Sequence, residues 1–428
     1  MTRKASSLFT AVTAISSLLL MGCDIAPDES SDAASPTAGD TTGPALSNVS
    51  LVPNPNPTVP LAAILSITTD EPAGLTLNIN DGERSWSVTP NEGMVTNHEV
   101  PVLGLRAGRV HTVTASLQDA DGNETLSEGV TFETPPLPDA FPTPVITVHN
   151  PDAMEPGVTV FNINGRWGST GTSEPANFSP AIIVDDAGEI IWYYLPGIHR
   201  VHDIRRLENS NFAYGAWPGT DGLLEIDMLG NVINQWQFSG TVKEVHAGSI
   251  PVDTDSIHHD YVEMANGNFL IMSSENRVID DWPANYELDG QTQQANVIGD
   301  VIVEMTRAGD VLREWKLHDI IDPYRLGYNS RSEGFWSNHY DGVVEGIVYD
   351  WTHGNAIIHE EENNSFILSL PYQDAVVKIS MDTGELVWIL SNHDNWREPW
   401  SEKLLTPVGD VEWSYKHHAI SHTENGTY

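Results

Sequence analysis

A unit built on histidine recurs along this chain and constrains its fold more than any other feature. His202 lies seven residues before Asn209, His259 seven before Asn266 and His418 seven before Asn425, while a longer version runs from His353 to Asn363. After each Asn come Asn-Gly, Asn-Ser or Asn-Asn turn residues, and the first three units then continue in β-rich sequence to a second mark. That mark is a glycine leading into a tryptophan: Gly230 to Trp236, Gly309 to Trp315 and Gly384 to Trp388. The Asn-to-Gly interval is 21 residues in the first and third units and 43 in the second, which predicts one further hairpin inserted within Asp280 to Asp300. Repeats of short strands at such a period build stacked four-stranded blades around an axis. The first strand of each blade lines the channel, so one His per blade becomes a cluster of imidazoles at its mouth. Trp192, Trp236, Trp315 and Trp388 are expected in the blade core, and His202 is read as a structural histidine.

The chain has 428 residues, enough for more than one domain, and a formal net charge of −40 from 60 acidic and 20 basic residues. That balance excludes nucleic acid and anionic lipid as partners, because both demand a basic footprint. Residues 1–23 read as a signal peptide, with Arg3, Lys4, an apolar run from Leu8 to Leu20 and then Leu20-Met21-Gly22-Cys23. Cys23 is the only cysteine, so it is expected to be lipidated and to anchor a periplasmic lipoprotein. Residues 24–44 are a polar tether. Residues 45–137 hold short alternating strands, among them Leu61 to Ile67 and Leu75 to Ile79, separated by turns such as Asp81-Gly82. They predict a β-sandwich of immunoglobulin or fibronectin type III character. A proline-rich stretch from Pro135 to Pro144 marks the boundary to a propeller over 143–428. Only three residues follow Asn425, so the last blade is expected to be incomplete and the chain to be a fragment of a longer protein.

The reactive side chains gather in a few motifs: Ile257-His258-His259-Asp260, Asp350-Trp351-Thr352-His353-Gly354-Asn355, Gln373-Asp374-Ala375-Val376-Val377-Lys378-Ile379 and Tyr415-Lys416-His417-His418-Ala419. As an ordered set they resemble the bacterial arylsulfate sulfotransferase family over about 143–428, and the sandwich matches that family's usual amino-terminal domain. The resemblance implies a six-bladed propeller that moves a sulfuryl group from an aryl sulfate to a phenol through a sulfated histidine, without a nucleotide sulfate donor or any other cofactor. It implies that the nucleophile is in Lys-His-His-Ala, where the family shows Gln-His. Alignment on Lys416 selects His417, whereas the internal repeat selects His418, and both stay open. His259 and His353 match positions that bind the sulfuryl group or move the proton. His258, Asn355, Gln373, Lys416 and Arg331 complete the expected substrate-binding set. One departure matters: Pro371 stands where the family has an oxyanion-clamping Arg, so Arg331 or Lys416 must replace that cation or the chemistry differs.

A neutral imidazole is a competent nucleophile near pH 7, and a second His can protonate a departing phenolate. Two rivals are a non-catalytic propeller that binds a protein or small ligand, and a hydrolase or lyase with a His-bound metal. Against the metal, neighbours on a regular strand face opposite ways, so His258 and His259 could not share one ion. The expected partners are aryl sulfates, phenols and a membrane reached through the lipid anchor alone; a homo-oligomer is left open.

Overall fold

Turn chemistry divides the chain into sheets. The structure is a computed structural model that describes residues 40–90, 92–141, 144–163, 178–197, 200–217, 222–239, 245–287 and 289–423. Cys23, the signal segment and Asn425 lie outside the described residues.

The first seven strands, between Leu46 and Glu133, make the sandwich. Its spine is one strand of 18 residues, Ala63–Asn80, whose buried and open positions alternate. The two segments expected as separate strands are therefore one. Its first half pairs with Leu46–Pro53 and Val95–Val102, and its second half with Ser85–Val88 and Val110–Gln118. A register shift between Thr68 and Ala73 carries the strand from one sheet into the other. Leu65, Ile67, Leu75, Leu77, Val113 and Leu117 fill the space between the two sheets.

Four further sheets follow in a propeller-like arrangement. The first is three-stranded, Thr159–Asn162, Ala181–Val184 and Ile190–Tyr194. The second runs through Arg200–Arg206, Phe212–Trp217, Gly222–Ile226 and Val232–Phe238 to a short parallel strand, Ile250–Val252. The third comprises Tyr261–Glu263, Phe269–Pro283, Thr292–Met305 and Val311–Lys316, with Val348–Asp350 paired in parallel to Thr292–Met305, and the fourth Ala356–Glu360, Ser365–Leu370, Ala375–Ser380 and Leu386–Ser391. Six blades were expected; the described residues build four such sheets. Much of the remaining sequence goes elsewhere, because residues 321–347 cross over the third sheet and residues 392–423 continue beyond the fourth, touching it through Leu404 and Ile389. The insertion expected as a separate hairpin instead lengthens the two middle strands of the third sheet to 15 and 14 residues.

The Gly-to-Trp marks are the turns into the fourth strand of each of the last three sheets, with Gly230, Gly309 and Gly384 at φ of 83°, 91° and 72°. Each tryptophan then locks onto the next sheet. Trp192 donates its indole N–H to the Met228 carbonyl at 2.9 Å, Trp236 donates to Arg307 at 2.8 Å, and Trp315 packs edge-on to Phe366. Trp388, expected in the core with them, is only half-buried, since no sheet follows its own among the described residues.

An arginine cluster joins the sandwich to the first of these sheets. Arg106, 6 % exposed at its side chain, places Nη2 at 2.6 Å from Asp185 and Nη1 at 3.6 Å from Asp81, while Arg84 reaches Asp186 at 2.6 Å. Removing one member of a buried cluster strands the opposing charges, so Arg106→Ala should lower stability by about 3 kcal/mol in chemical denaturation. An equal loss from the exposed Arg84→Ala would contradict that assignment.

Candidate active site

The sheets begin with strained backbone. Asp203, His259 and His353, at the entries to the second, third and fourth sheets, all have φ of +51°. A non-glycine residue there costs on the order of 1 kcal/mol and persists only where its surroundings enforce it. Buried aspartates do so. Asp260 accepts the N–H groups of Tyr261 at 2.7 Å and Ile357 at 2.8 Å and pairs with Arg205 at 2.6 Å, tying three sheets together. Burial pushes its carboxyl up to about 7, with Arg205 pulling the other way and Asp203 adding to the rise. Asp300, 1 % exposed, accepts the N–H of Gly354 and pairs with His258 at 3.3 Å. A Cβ at Gly354 would stand 2.4 Å from Met272 and 2.9 Å from Asp300, which explains glycine in the His-Gly-Asn motif.

These kinks bring sequence-distant rings together. The centroid of His259 lies 5.0 Å from that of His353 and 6.3 Å from that of His418. His258 and His259 face each other through Nδ1 atoms 3.0 Å apart. The alternation argument that separated them fails here, because the left-handed turn at His259 breaks the strand period.

The histidines differ in charge. Burial, followed by the neighbouring rings of His258, His353 and His418, holds His259 well below its ordinary value and keeps it neutral. Burial acts the same way on His353, yet its Nδ1 bond to Asp350 at 2.6 Å and the charges of Asp350 and Asp300 outweigh that and raise it. Asp350 is itself raised by burial against the pull of His353. One neutral ring and one ring disposed to hold a proton therefore stand side by side.

Asn355 holds the backbone on both sides of His418. Its side chain donates to the His417 carbonyl at 3.2 Å and accepts the N–H of Ala419 at 3.3 Å, bracketing His418. The Lys416 N–H is held by Asp374 at 3.0 Å. His418 is exposed toward the cluster, whereas His417 turns back, its Nε2 3.2 Å from the Ala375 carbonyl and its ring lowered in pKa by burial.

Two expected substrate-binding residues lie apart from this group. Gln373 is 0 % exposed, its amide donating to Ser330 at 2.9 Å and to the Trp351 carbonyl at 2.8 Å. Arg331 bonds the Pro283 carbonyl and lies over Trp282 and Tyr349 at 5.0 and 4.5 Å. Asn355 serves the backbone around His418 rather than an open face. Lys416, the other cation put forward in place of the missing Arg, adds a positive charge that opposes the rise of His353, and its Nζ lies 5.6 Å from the Tyr328 ring.

Aromatic walls and carboxylates complete the site, and the sequence reading had given them no role. Tyr372 stacks on His353 at 4.3 Å and 11°, while Phe335, 45 % exposed, lies 5.2 Å from His259 and 4.8 Å from His353. Trp336 donates to Asp350 at 3.2 Å. Asp350 could have been found, as it stands three residues before His353 in the Asp-Trp-x-His motif. Phe335 and Trp336 carry no such signal, because residues 321–347 have no strand or helix period to place them.

Together the Trp-locked sheets and the convergent imidazoles define a propeller-like protein with a polyhistidine centre fit for acid–base and nucleophilic chemistry. The arylsulfotransferase (ASST) family model matches residues 145–428, and the arylsulfotransferase Ig-like domain model matches 50–135. The chain belongs to the arylsulfotransferase family. It is 26% identical over 255 residues to the arylsulfate sulfotransferase AssT of Escherichia coli O6:H1, covering 55% of this chain and 40% of that one. It is 21% identical over 458 aligned positions to AssT of Lelliottia amnigena, covering 88% and 72%. The chain thus spans well under half the length of the first of these relatives and under three quarters of the second. Among solved structures, a protein of unknown function from Bacteroides caccae aligns with TM-score 0.26 at 12% identity, over 74% of this chain and 94% of that one. Citrobacter koseri AztD aligns with TM-score 0.22 at 11% identity, over 74% and 95%. Scores so low carry no argument about fold or function.

Proposed function

We propose that the chain transfers a sulfuryl group from an aryl sulfate to a phenol through a sulfated His418. The observation that carries this reading is the convergence of exposed His418, neutral His259 and Asp350-bound His353 on one spot. In the first half-reaction a ring nitrogen of His418 attacks sulfur and the bond from sulfur to the aryl oxygen breaks. Asp350 takes Nδ1 of His353, leaving Nε2 to protonate the departing phenolate. In the second, Nε2 of His353 takes the proton of an incoming phenol, the phenol oxygen attacks sulfur, and the nitrogen–sulfur bond breaks. Lys416 supplies positive charge for the sulfuryl oxygens. Dividing the transfer lets one pocket serve donor and acceptor in turn.

The test is intact mass after incubation with 4-nitrophenyl sulfate. One sulfuryl adduct should form and disappear on addition of a phenol; no adduct together with no transfer would remove the reading.

Phe335 offers an exposed ring face beside His259 and His353, which suits an aryl group better than an alkyl one. Phe335→Leu should raise KM for 4-nitrophenyl sulfate about fivefold with a smaller change in kcat, given the 0.5–1.5 kcal/mol of an aromatic pair. An unchanged KM would place the donor ring elsewhere.

The Leu-x-Gly-Cys segment supports a periplasmic lipoprotein anchored through Cys23. Cys23→Ser should release the protein from the membrane fraction, and retention of this variant there would reject the anchor.

A further inference from the structure

His258 does not open onto the site. Its side chain is 7 % exposed, and Nε2 faces two acceptors, the Ser273 carbonyl at 3.1 Å and Asp300 at 3.3 Å. That nitrogen therefore carries a hydrogen in either charge state. The other nitrogen, Nδ1, faces Nδ1 of His259 at 3.0 Å, and two facing ring nitrogens can share only one proton.

The consequence passes to the far side of His259. When His258 is neutral its Nδ1 is a lone pair, so His259 must donate from Nδ1, and Nε2 of His259 is an acceptor. When His258 is a cation its Nδ1–H donates, so Nδ1 of His259 must accept, and the neutral His259 ring carries its hydrogen on Nε2. We propose that His258 is a positioning residue that sets the tautomer of His259, so that one proton on His258 converts Nε2 of His259 from an acceptor into a donor. The use of this switch rests on the sulfuryl-transfer reading: sulfuryl oxygens call for a donor, and an incoming phenol calls for an acceptor.

The surroundings hold the His259 ring neutral and set an anion beside His258. His259 is held neutral by burial and by His258, His353, His418 and His202 around it. Facing His258 are Asp300 from the long hairpin of the third sheet and Asp350 from the short strand paired to that hairpin, with Trp336 edge-on at 5.0 Å. Burial works to raise the Asp300 carboxyl, but the His258 bond, Thr352 and the Gly354 N–H hold it below its ordinary value, so it stays an anion beside Nε2.

The test uses the full chain labelled with ¹⁵N-histidine and needs no turnover. Ring-nitrogen shifts distinguish the two tautomers, and the His259 signals are those lost in His259→Asn. His259 should carry its proton on Nδ1 at high pH and on Nε2 at low pH, the change tracking the titration of His258. In Asp300→Asn the cation loses its counter-charge, so the tautomer change should move to lower pH. In His258→Phe the tautomer of His259 should no longer respond to pH. A wild-type His259 that keeps one tautomer through the titration of His258 would overturn the proposal, as would a change that survives in a folded His258→Phe variant. The sulfuryl adduct is measured separately by mass, so loss of the transfer reading and loss of the switch give different results.

Discussion

His418→Asn should keep the fold and remove both the sulfuryl adduct and turnover, lowering kcat by about four orders of magnitude or more. His417→Asn should keep the adduct and lose a few-fold in rate. The two neighbours differ because the loop presents them differently: Asn355 holds the carbonyl of residue 417 and the amide of residue 419, leaving the His418 ring exposed, while the His417 ring is turned onto the Ala375 carbonyl. Peptide mapping of the trapped adduct checks the assignment directly. An adduct on His417, or equal mild losses from both variants, would contradict a covalent His418.

The parts of this molecule that obey a period could be read from sequence. Gly230, Gly309 and Gly384 stand in left-handed turns six, six and four residues before a tryptophan, and both marks follow from local turn chemistry and strand register. The histidines at the sheet entries follow from the same repeat, which is why His259 and His353 could be paired across 94 residues of sequence. What could not be read depends on contacts without a period. Whether His417 or His418 faces the cluster is decided by side chains of Asn355 and Asp374 on another sheet. Gln373 has the chemistry of a ligand-binding amide, but its turn faces inward against Ser330 and Trp351. Arg331 looked like a spare cation, yet two aromatic faces and a carbonyl on the long hairpin hold it. The His258–His259 contact was misjudged because strand alternation was assumed at a residue whose φ is +51°.

Asp350→Asn should lower kcat by about a hundredfold or more for donors with poor leaving groups, and much less for 4-nitrophenyl sulfate. The carboxylate keeps the proton on His353 against the opposing effect of burial. An amide in its place removes the charge, so His353 falls in pKa and becomes a neutral ring over more of the working range. The sign is fixed by the role: an acid must be protonated, so activity present below the raised value is lost as pH rises through it, and the variant should lose it at lower pH. A phenolate without electron-withdrawing groups is the stronger base and needs the proton as it leaves, whereas nitrophenolate departs with little help. The variant should therefore steepen the dependence of rate on leaving-group basicity, measured over a series of substituted phenyl sulfates at fixed pH. Trp336→Phe, which removes one donor from Asp350 without touching its charge, leaves the carboxylate a stronger acceptor for His353 and should move the alkaline limb the opposite way. If Asp350→Asn instead slowed every donor equally and left the alkaline limb in place, His353 would not be the acid, and Asp350 would serve only to hold the left-handed turn at the entry to the fourth sheet.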